Sequence, residues 1–128
     1  MAPTTGLGVD LARVERFRRL MQADNLAVVD RIFTAGEKAY ALARKDPAPH
    51  LAARFAAKEA FLKALGLGLR DGISWQQMEV TRDELGKPSL QLTGRAAEIY
   101  HQRGYCRLLL SYSHDGDYAF ATVLLEGP

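Results

Sequence analysis

Segments of helical and of strand periodicity share this 128-residue chain in an order that predicts an α+β fold with antiparallel strands. Three observations predict it. Leu7, Val9 and Leu11 alternate at strand spacing near the start, apolar residues recur at helical spacing through Leu65, and two pairs of alternating runs joined by turn residues fill much of the remainder. A single small domain over residues 1–128 is expected, because this length and a 48% hydrophobic share suit one core.

After the first strand, Val14, Phe17, Leu20 and Met21 repeat at helical spacing, leaving Arg13, Arg16, Arg18, Arg19 and Gln22 on a basic outer face. Leu26 to Phe33 reads as a further helical turn or two. Thr34-Ala35-Gly36-Glu37 has capping-box spacing and opens a third helix running to about Arg44. Asp46-Pro47-Ala48-Pro49 reads as a turn leading into the longest helix, Leu51 to Leu65, with Gly66 and Gly68 at its stop. The glycines of Gly66 to Gly72 either admit a phosphate to the backbone or merely turn the chain. Met78 and Val80, then Leu90 and Leu92, predict two strands joined through Gly86-Lys87-Pro88. Gly94 to Arg103 makes another helix with Ala96, Ala97 and Tyr100 inward. Cys106 to Ser113 and Tyr118 to Glu126 form a last hairpin across His114-Asp115-Gly116-Asp117.

Seventeen Lys plus Arg against fifteen Asp plus Glu leave a formal charge of +2, which does not call for a nucleic-acid partner. The lone Cys106 has no partner for an internal disulfide and suits a reducing cytoplasm. Met1-Ala2-Pro3-Thr4-Thr5 lacks the basic start and apolar stretch of a signal peptide, and no window offers the roughly 18 to 20 apolar residues of a membrane helix. A soluble, cytoplasmic protein is expected. Neither a Ser-His-Asp order nor a Gly-x-Ser-x-Gly element appears, so an internal nucleophile is not expected.

Two carboxylates sit where the local pattern leaves little room for them. Glu59 shares a helical stripe with Phe55 and Leu62, and Asp10 shares a strand face with Gly8. A desolvated carboxylate needs a cation, a metal ion or a shifted pKa. The plainer alternative makes Asp10 a helix cap and pairs Glu59 with Lys63 one turn on.

Three blocks taken together resemble a known family. Gly6-Leu7-Gly8-Val9-Asp10, then Arg54-Phe55-Ala56-Ala57-Lys58-Glu59-Ala60-Phe61-Leu62-Lys63-Ala64, then Ser111-Tyr112-Ser113-His114 with Tyr118-Ala119-Phe120-Ala121, are similar to the holo-acyl-carrier-protein synthases. These are the small single-domain bacterial 4′-phosphopantetheinyl transferases. The resemblance implies transfer of 4′-phosphopantetheine from coenzyme A to a serine of apo acyl carrier protein in fatty acid biosynthesis, with release of 3′,5′-ADP. It implies Mg²⁺ held by Asp10 and Glu59, and Lys63 on the pyrophosphate. Such a pair suffices for an ion that keeps several waters. Glu59 or a metal-bound water would take the serine proton.

By the same resemblance Arg54, His114 and Lys45 lie near the 3′-phosphate of coenzyme A, and Gly86, Lys87 and Pro88 border the adenine. Arg16 matches the arginine that meets the acidic carrier, with Arg13, Arg19 and Leu20 as neighbours; Asp24-Asn25 stands where relatives carry further basic residues. Lys58 occupies a family position but points about 100° from Glu59, which suggests a structural role. Tyr118 and Ala119 read as strand core. The family's homotrimers share each coenzyme A site between subunits, so trimerisation through the sheets is expected. Two other functions compete: a non-catalytic binding protein that kept the fold, and an enzyme acting on a different pyrophosphate.

Overall fold

The computed structural model describes residues 2–23 and 26–128. Strand β1 (Thr4–Arg13) pairs antiparallel with β5 (Tyr118–Glu126), and β5 with β4 (Arg107–Asp115), giving the sheet order β1-β5-β4. β2 (Met78–Arg82) and β3 (Pro88–Leu92) form a separate antiparallel hairpin. Helices α1 (Val14–Gln22), α2 (Leu26–Ile32), α3 (Ala35–Leu42) and α4 (Pro47–Leu65) fall between β1 and β2. A 3-10 turn (Trp75–Gln77) precedes β2, and α5 (Gly94–Gln102) joins β3 to β4. The expected α+β architecture is what the chain adopts.

Helix α4 lies directly on β1 and β5, and the sequence allows it because both surfaces are nearly bare. A methyl group on Gly8 would stand 1.8 Å from the Ala60 carbonyl oxygen, and one on Gly6 2.9 Å from that of Ala64. Only glycine permits that approach. The helix contributes Ala52, Ala53, Ala56, Ala57 and Ala60 to the core, all but fully buried, so small residues on both sides bring the backbones together. Asp46 caps α4 through the Ala48 N–H, with Pro47 at its first position, so the helix starts four residues before the expected Leu51.

The strand alternation is real, but its apolar row faces away from α4. Leu7, Val9 and Leu11 are 62%, 53% and 61% exposed, and the glycine row with Ala12 meets the helix instead. On β5 the same alternation buries Ala119, Ala121, Val123 and Leu125 and leaves Tyr118 and Phe120 open. Tyr118 is therefore not core as expected, whereas Ala119 is.

Elsewhere the boundaries shift modestly. The Thr34–Glu37 capping box forms, and α3 stops at Leu42 rather than Arg44. His114 and Asp115 belong to β4, leaving Gly116 and Asp117 as the turn. Helix α5 buries Ala96, Ile99 and Tyr100, and Ile99 takes the inward place expected for Ala97. Cys106 is free and exposed just ahead of β4. The expectation placed on Asp24-Asn25 lies outside the described residues. Among those described, no helix is long and apolar enough to cross a membrane.

Candidate active site

The contact of α4 with β1 sets the geometry of the site. Asp10 stands two residues beyond Gly8 on the strand row that faces the helix, so the approach that needs glycine also brings Asp10 to Glu59 and Lys63. Lys63 Nζ donates to Asp10 Oδ1 at 2.8 Å. The i+4 partner of Glu59 is thus bound across to the strand, and Asp10 caps no helix; Arg13 holds the cap position of α1.

Asp10 and Glu59 share an open cleft of about 720 Å³ with Arg13, Arg16, Ile32, Phe55 and Trp75. Glu59 has its carboxyl pushed above the ordinary carboxylate range, first by burial and then by the charge of Asp10, against the pull of Lys63 and Arg16. The hydrogen bond to Asp10 holds the Lys63 ammonium above its usual value. Among the described residues no cluster of three or more metal-binding side chains occurs. The donor set is the two carboxylates, and their mutual repulsion fits a hard cation that completes its shell with water and phosphate oxygens. The two residues therefore fit Mg²⁺.

The basic helix borders this cleft. The Arg16 guanidinium lies over the rings of Phe55 at 5.1 Å and Phe17 at 5.6 Å, and it also lines a neighbouring hollow with Arg13, Glu15, Arg19 and Leu20. Arg19 is 3.7 Å from Glu15, and Arg18 is turned to Glu15 and Asp46. Arg13 pairs with Asp117 at 2.8 Å.

A second cavity, lined by none of the first one's residues, opens beneath the β2–β3 hairpin and includes Tyr40, Arg44, Arg54, Arg82 and Gly86. Arg54 is 1% exposed, lies 4.1 Å from the centre of the Tyr40 ring and donates to the His50 carbonyl at 3.3 Å. Among the described residues, its buried Nε has no partner. Arg44 covers the same ring at 4.0 Å, and Arg82 donates to the Tyr40 hydroxyl at 2.6 Å. The three guanidiniums, Arg44 foremost, draw the Tyr40 hydroxyl below its ordinary pKa. His114 reaches the cluster through His50, whose ring lies 5.9 Å from its own and 5.7 Å from Tyr40.

Gly86 turns the hairpin with φ 85°, and Asp83 holds that turn by accepting from the Leu85 and Lys87 N–H groups. Lys87 completes the turn, Pro88 begins β3, and exposed Lys45 lines neither cavity. Sequence reasoning passes over Tyr40, Arg44, Arg82 and His50. Tyr40 and Arg44 are one helical turn apart, a legible signal; Arg82 and His50 join them only through the fold. Asp117 is also missed: it accepts from the Arg13 side chain and from the Glu15 N–H, serving α1 from the far hairpin.

Two carboxylates in an open cleft with a lysine beside them, on this small α+β frame, suit phosphoryl-group transfer. The chain belongs to the 4′-phosphopantetheinyl transferase superfamily, whose model matches residues 6–123. The holo-[acyl-carrier-protein] synthase of Syntrophotalea carbinolica is 62% identical over 123 residues, covering 96% of each chain. The crystal structure of the Neisseria meningitidis holo-[acyl-carrier-protein] synthase superposes with a TM-score of 0.86 at 35% identity, over 97% of this chain and 99% of that one. A Bacillus anthracis holo-(acyl-carrier-protein) synthase, solved in complex with CoA (3′,5′-ADP), matches at 0.79 with 31% identity and 98% coverage of both. The family and fold that the three sequence blocks implied are therefore correct.

Proposed function

We propose that the chain works as a holo-[acyl-carrier-protein] synthase, moving 4′-phosphopantetheine from coenzyme A to a serine hydroxyl of apo acyl carrier protein and releasing 3′,5′-ADP. The observation that carries this is the meeting of Asp10 and Glu59, drawn from two distant blocks, in one open cleft, with Lys63 donating to Asp10 beside it. Asp10 and Glu59 would hold Mg²⁺, which when bound supplies charge neutralisation at the pyrophosphate. Lys63, half exposed at the rim, is free to turn from Asp10 to a phosphate oxygen and to stabilise the departing phosphate. Glu59 or a metal-bound water would take the serine proton.

The carrier is assigned to α1, where Arg16 reaches the cleft edge and Arg13, Arg19 and Leu20 line the adjoining hollow. Acidic carriers are attracted to such a face. Arg54, with an unsatisfied buried N–H beside Arg82 and Tyr40, is assigned to the 3′-phosphate; His114 supports it and Gly86, Lys87 and Pro88 border the adenine. Lys45 is its weakest member.

Cleft and arginine pocket have no lining residue in common, and the sheet carries an open apolar face of Leu7, Val9, Leu11, Tyr118 and Phe120. Both facts support a homotrimer packed through its sheets, in which the cleft of one subunit and the arginine pocket of the next serve one coenzyme A. A cytoplasmic location fits the reaction's substrates. Incubation with coenzyme A, Mg²⁺ and apo carrier, followed by mass measurement, should show the carrier heavier by one phosphopantetheine. An unchanged carrier mass would overturn the reading.

A further inference from the structure

The cleft has one wall that no catalytic residue holds in place. Ile32, at the end of α2, and Trp75, in the 3-10 turn, line it together with Asp10 and Glu59, yet they come from separate segments. Their backbone carbonyls meet on one atom. Lys58 Nζ donates to the Ile32 carbonyl at 2.7 Å, to the Trp75 carbonyl at 3.2 Å and to Glu37 Oε1 at 2.6 Å. An ammonium has three N–H groups, and all three are used.

Lys58 is wholly buried and does not itself line the cleft, but it is the residue before Glu59. Glu37, 1% exposed, is equally engaged: Oε1 also accepts from the Thr34 N–H and Oε2 from the Val80 N–H of β2. The ion pair therefore ties α2, α3, the 3-10 turn and β2 to α4 at the position adjoining the cleft carboxylate. Packing alone would not demand this arrangement, since buried ion pairs are often replaceable by apolar residues without loss of stability. What an apolar side chain could not do is fasten two carbonyls of the cleft wall to the helix that bears Glu59.

We infer that Lys58 is a positioning residue, which with Glu37 sets the separation between Glu59 and the Ile32–Trp75 wall and so the alignment of the group being transferred. This rests on the transferase reading above. Small misplacements of reacting groups are costly in rate, up to about a hundred-fold for 1 Å. Trp75 is the single tryptophan of the chain, so the wall carries its own optical reporter.

The test compares wild type, Lys58→Met, Glu37→Gln and Leu51→Ala, the last a core truncation in α4 that lines neither cavity used in the reaction. Turnover, the Michaelis constants for coenzyme A and apo carrier, and acrylamide quenching of Trp75 are measured well below each melting temperature. Lys58→Met should lower kcat about ten-fold or more, with Trp75 more quenchable and the carrier constant, set on α1, within about two-fold. Glu37→Gln keeps an acceptor for Lys58 and should show a smaller loss of the same kind. Leu51→Ala should melt earlier with normal kcat and quenching. If Lys58→Met turns over like Leu51→Ala with Trp75 unmoved, Lys58 is core and nothing more; should it fail to fold, normal kcat and quenching in Glu37→Gln would overturn the positioning role just as well. A wild type that transfers nothing would instead refute the transferase reading itself.

Discussion

In the cleft against β1, Asp10 and Glu59 share one opening with Lys63 at the rim, whereas beneath the β2–β3 hairpin three guanidiniums crowd around the ring of Tyr40. Both cavities carry charges of both signs, the second with Glu79, Asp83 and Glu84 beside its arginines, but they hold them differently. The cleft half-buries Glu59 beside Asp10, and that burial first, then the charge of Asp10, raise its carboxyl above its ordinary value. The pocket sequesters Arg54 completely and fixes it against an aromatic face, leaving one N–H without a partner. The first arrangement leaves its carboxylates within reach of the opening; the second is fixed by packing around Arg54.

The largest effect should come from the cleft. Asp10→Asn and Glu59→Gln are each expected to lower transfer by about a hundred-fold or more, since the charge that holds the cation is lost. More Mg²⁺ should restore little. Stability should move the other way. A carboxyl whose pKa is raised on folding favours the fold fully below its unfolded pKa, and that contribution is lost as pH rises through the raised folded value. Metal-free Glu59→Gln should therefore melt higher than wild type at neutral pH, with the gap closing as pH falls below the ordinary carboxylate range. A lower melting temperature at neutral pH would mean that Glu59 is not strained.

If cleft and pocket serve one substrate only across a subunit boundary, two crippled variants should repair each other. Glu59→Gln and Arg54→Ala, co-refolded in equal amounts, should recover about a quarter of wild-type turnover, because random heterotrimers place one intact cleft beside one intact pocket at that frequency. No recovery, with trimers verified by sedimentation, would put both cavities of a site in the same chain.

The pocket alone is probed with coenzyme A and 3′-dephospho-coenzyme A. Wild type should prefer the phosphorylated form, and Arg54→Ala should lose about ten-fold of that preference, with a smaller loss in His114→Ala. Unaltered discrimination in both variants would detach this pocket from the 3′-phosphate. On the cleft's outer edge, Arg16→Glu should raise the Michaelis constant for the carrier several-fold more than that for coenzyme A, and added salt should mimic it by screening. Equal loss for both substrates would point to a folding or active-site defect.

How far sequence reaches differs between the two regions for a physical reason. Asp10, Glu59 and Lys63 are legible because each sits in a compact block with a period of its own, and the glycine row opposite Leu7, Val9 and Leu11 already announces an unusual face. What that face is for is not legible. Alternation marks which residues lie together, not which row meets the core, and here close helix packing turns the usual choice around. The arginine pocket is half visible: Arg54 and His114 stand in blocks, but Tyr40, Arg82 and His50 gain meaning only when α3, α4 and β2 converge. Lys58 faces away from Glu59, as its place on the helix implies, yet in sequence its partner Glu37 shows only as a helix cap, since one carboxylate serving a cap, a lysine and a strand N–H is a property of the assembled core.

The smallest expected effect concerns Asp117, which links the β4–β5 turn to α1, the helix proposed for the carrier. Arg13, at the cap position of α1, offers no side-chain cap, so the first turn of that helix depends on groups from elsewhere. Asp117 supplies them: its carbonyl accepts from the Val14 N–H, Oδ1 from the Glu15 N–H and Oδ2 from Arg13. The Arg13 hydrogen bond, and next that from Glu15, hold its carboxyl below the ordinary value, so its support is present above the unfolded pKa and fades as pH falls through the lowered one. Asp117→Asn retains an acceptor for the Glu15 N–H but no charge for Arg13; Asp117→Ala retains neither. If capping is what matters, Asn should melt near wild type and Ala a few degrees lower. If the charge matters, both should fall alike, and the wild-type advantage over both should shrink in acid. In either case the carrier's Michaelis constant should rise modestly in Asp117→Ala, because Arg13 and Arg16 flank the turn it secures. A carrier constant unchanged in Asp117→Ala, with the first turn of α1 shown by amide exchange to be frayed, would remove that turn from carrier recognition and leave Arg16 to act from its aromatic seat alone.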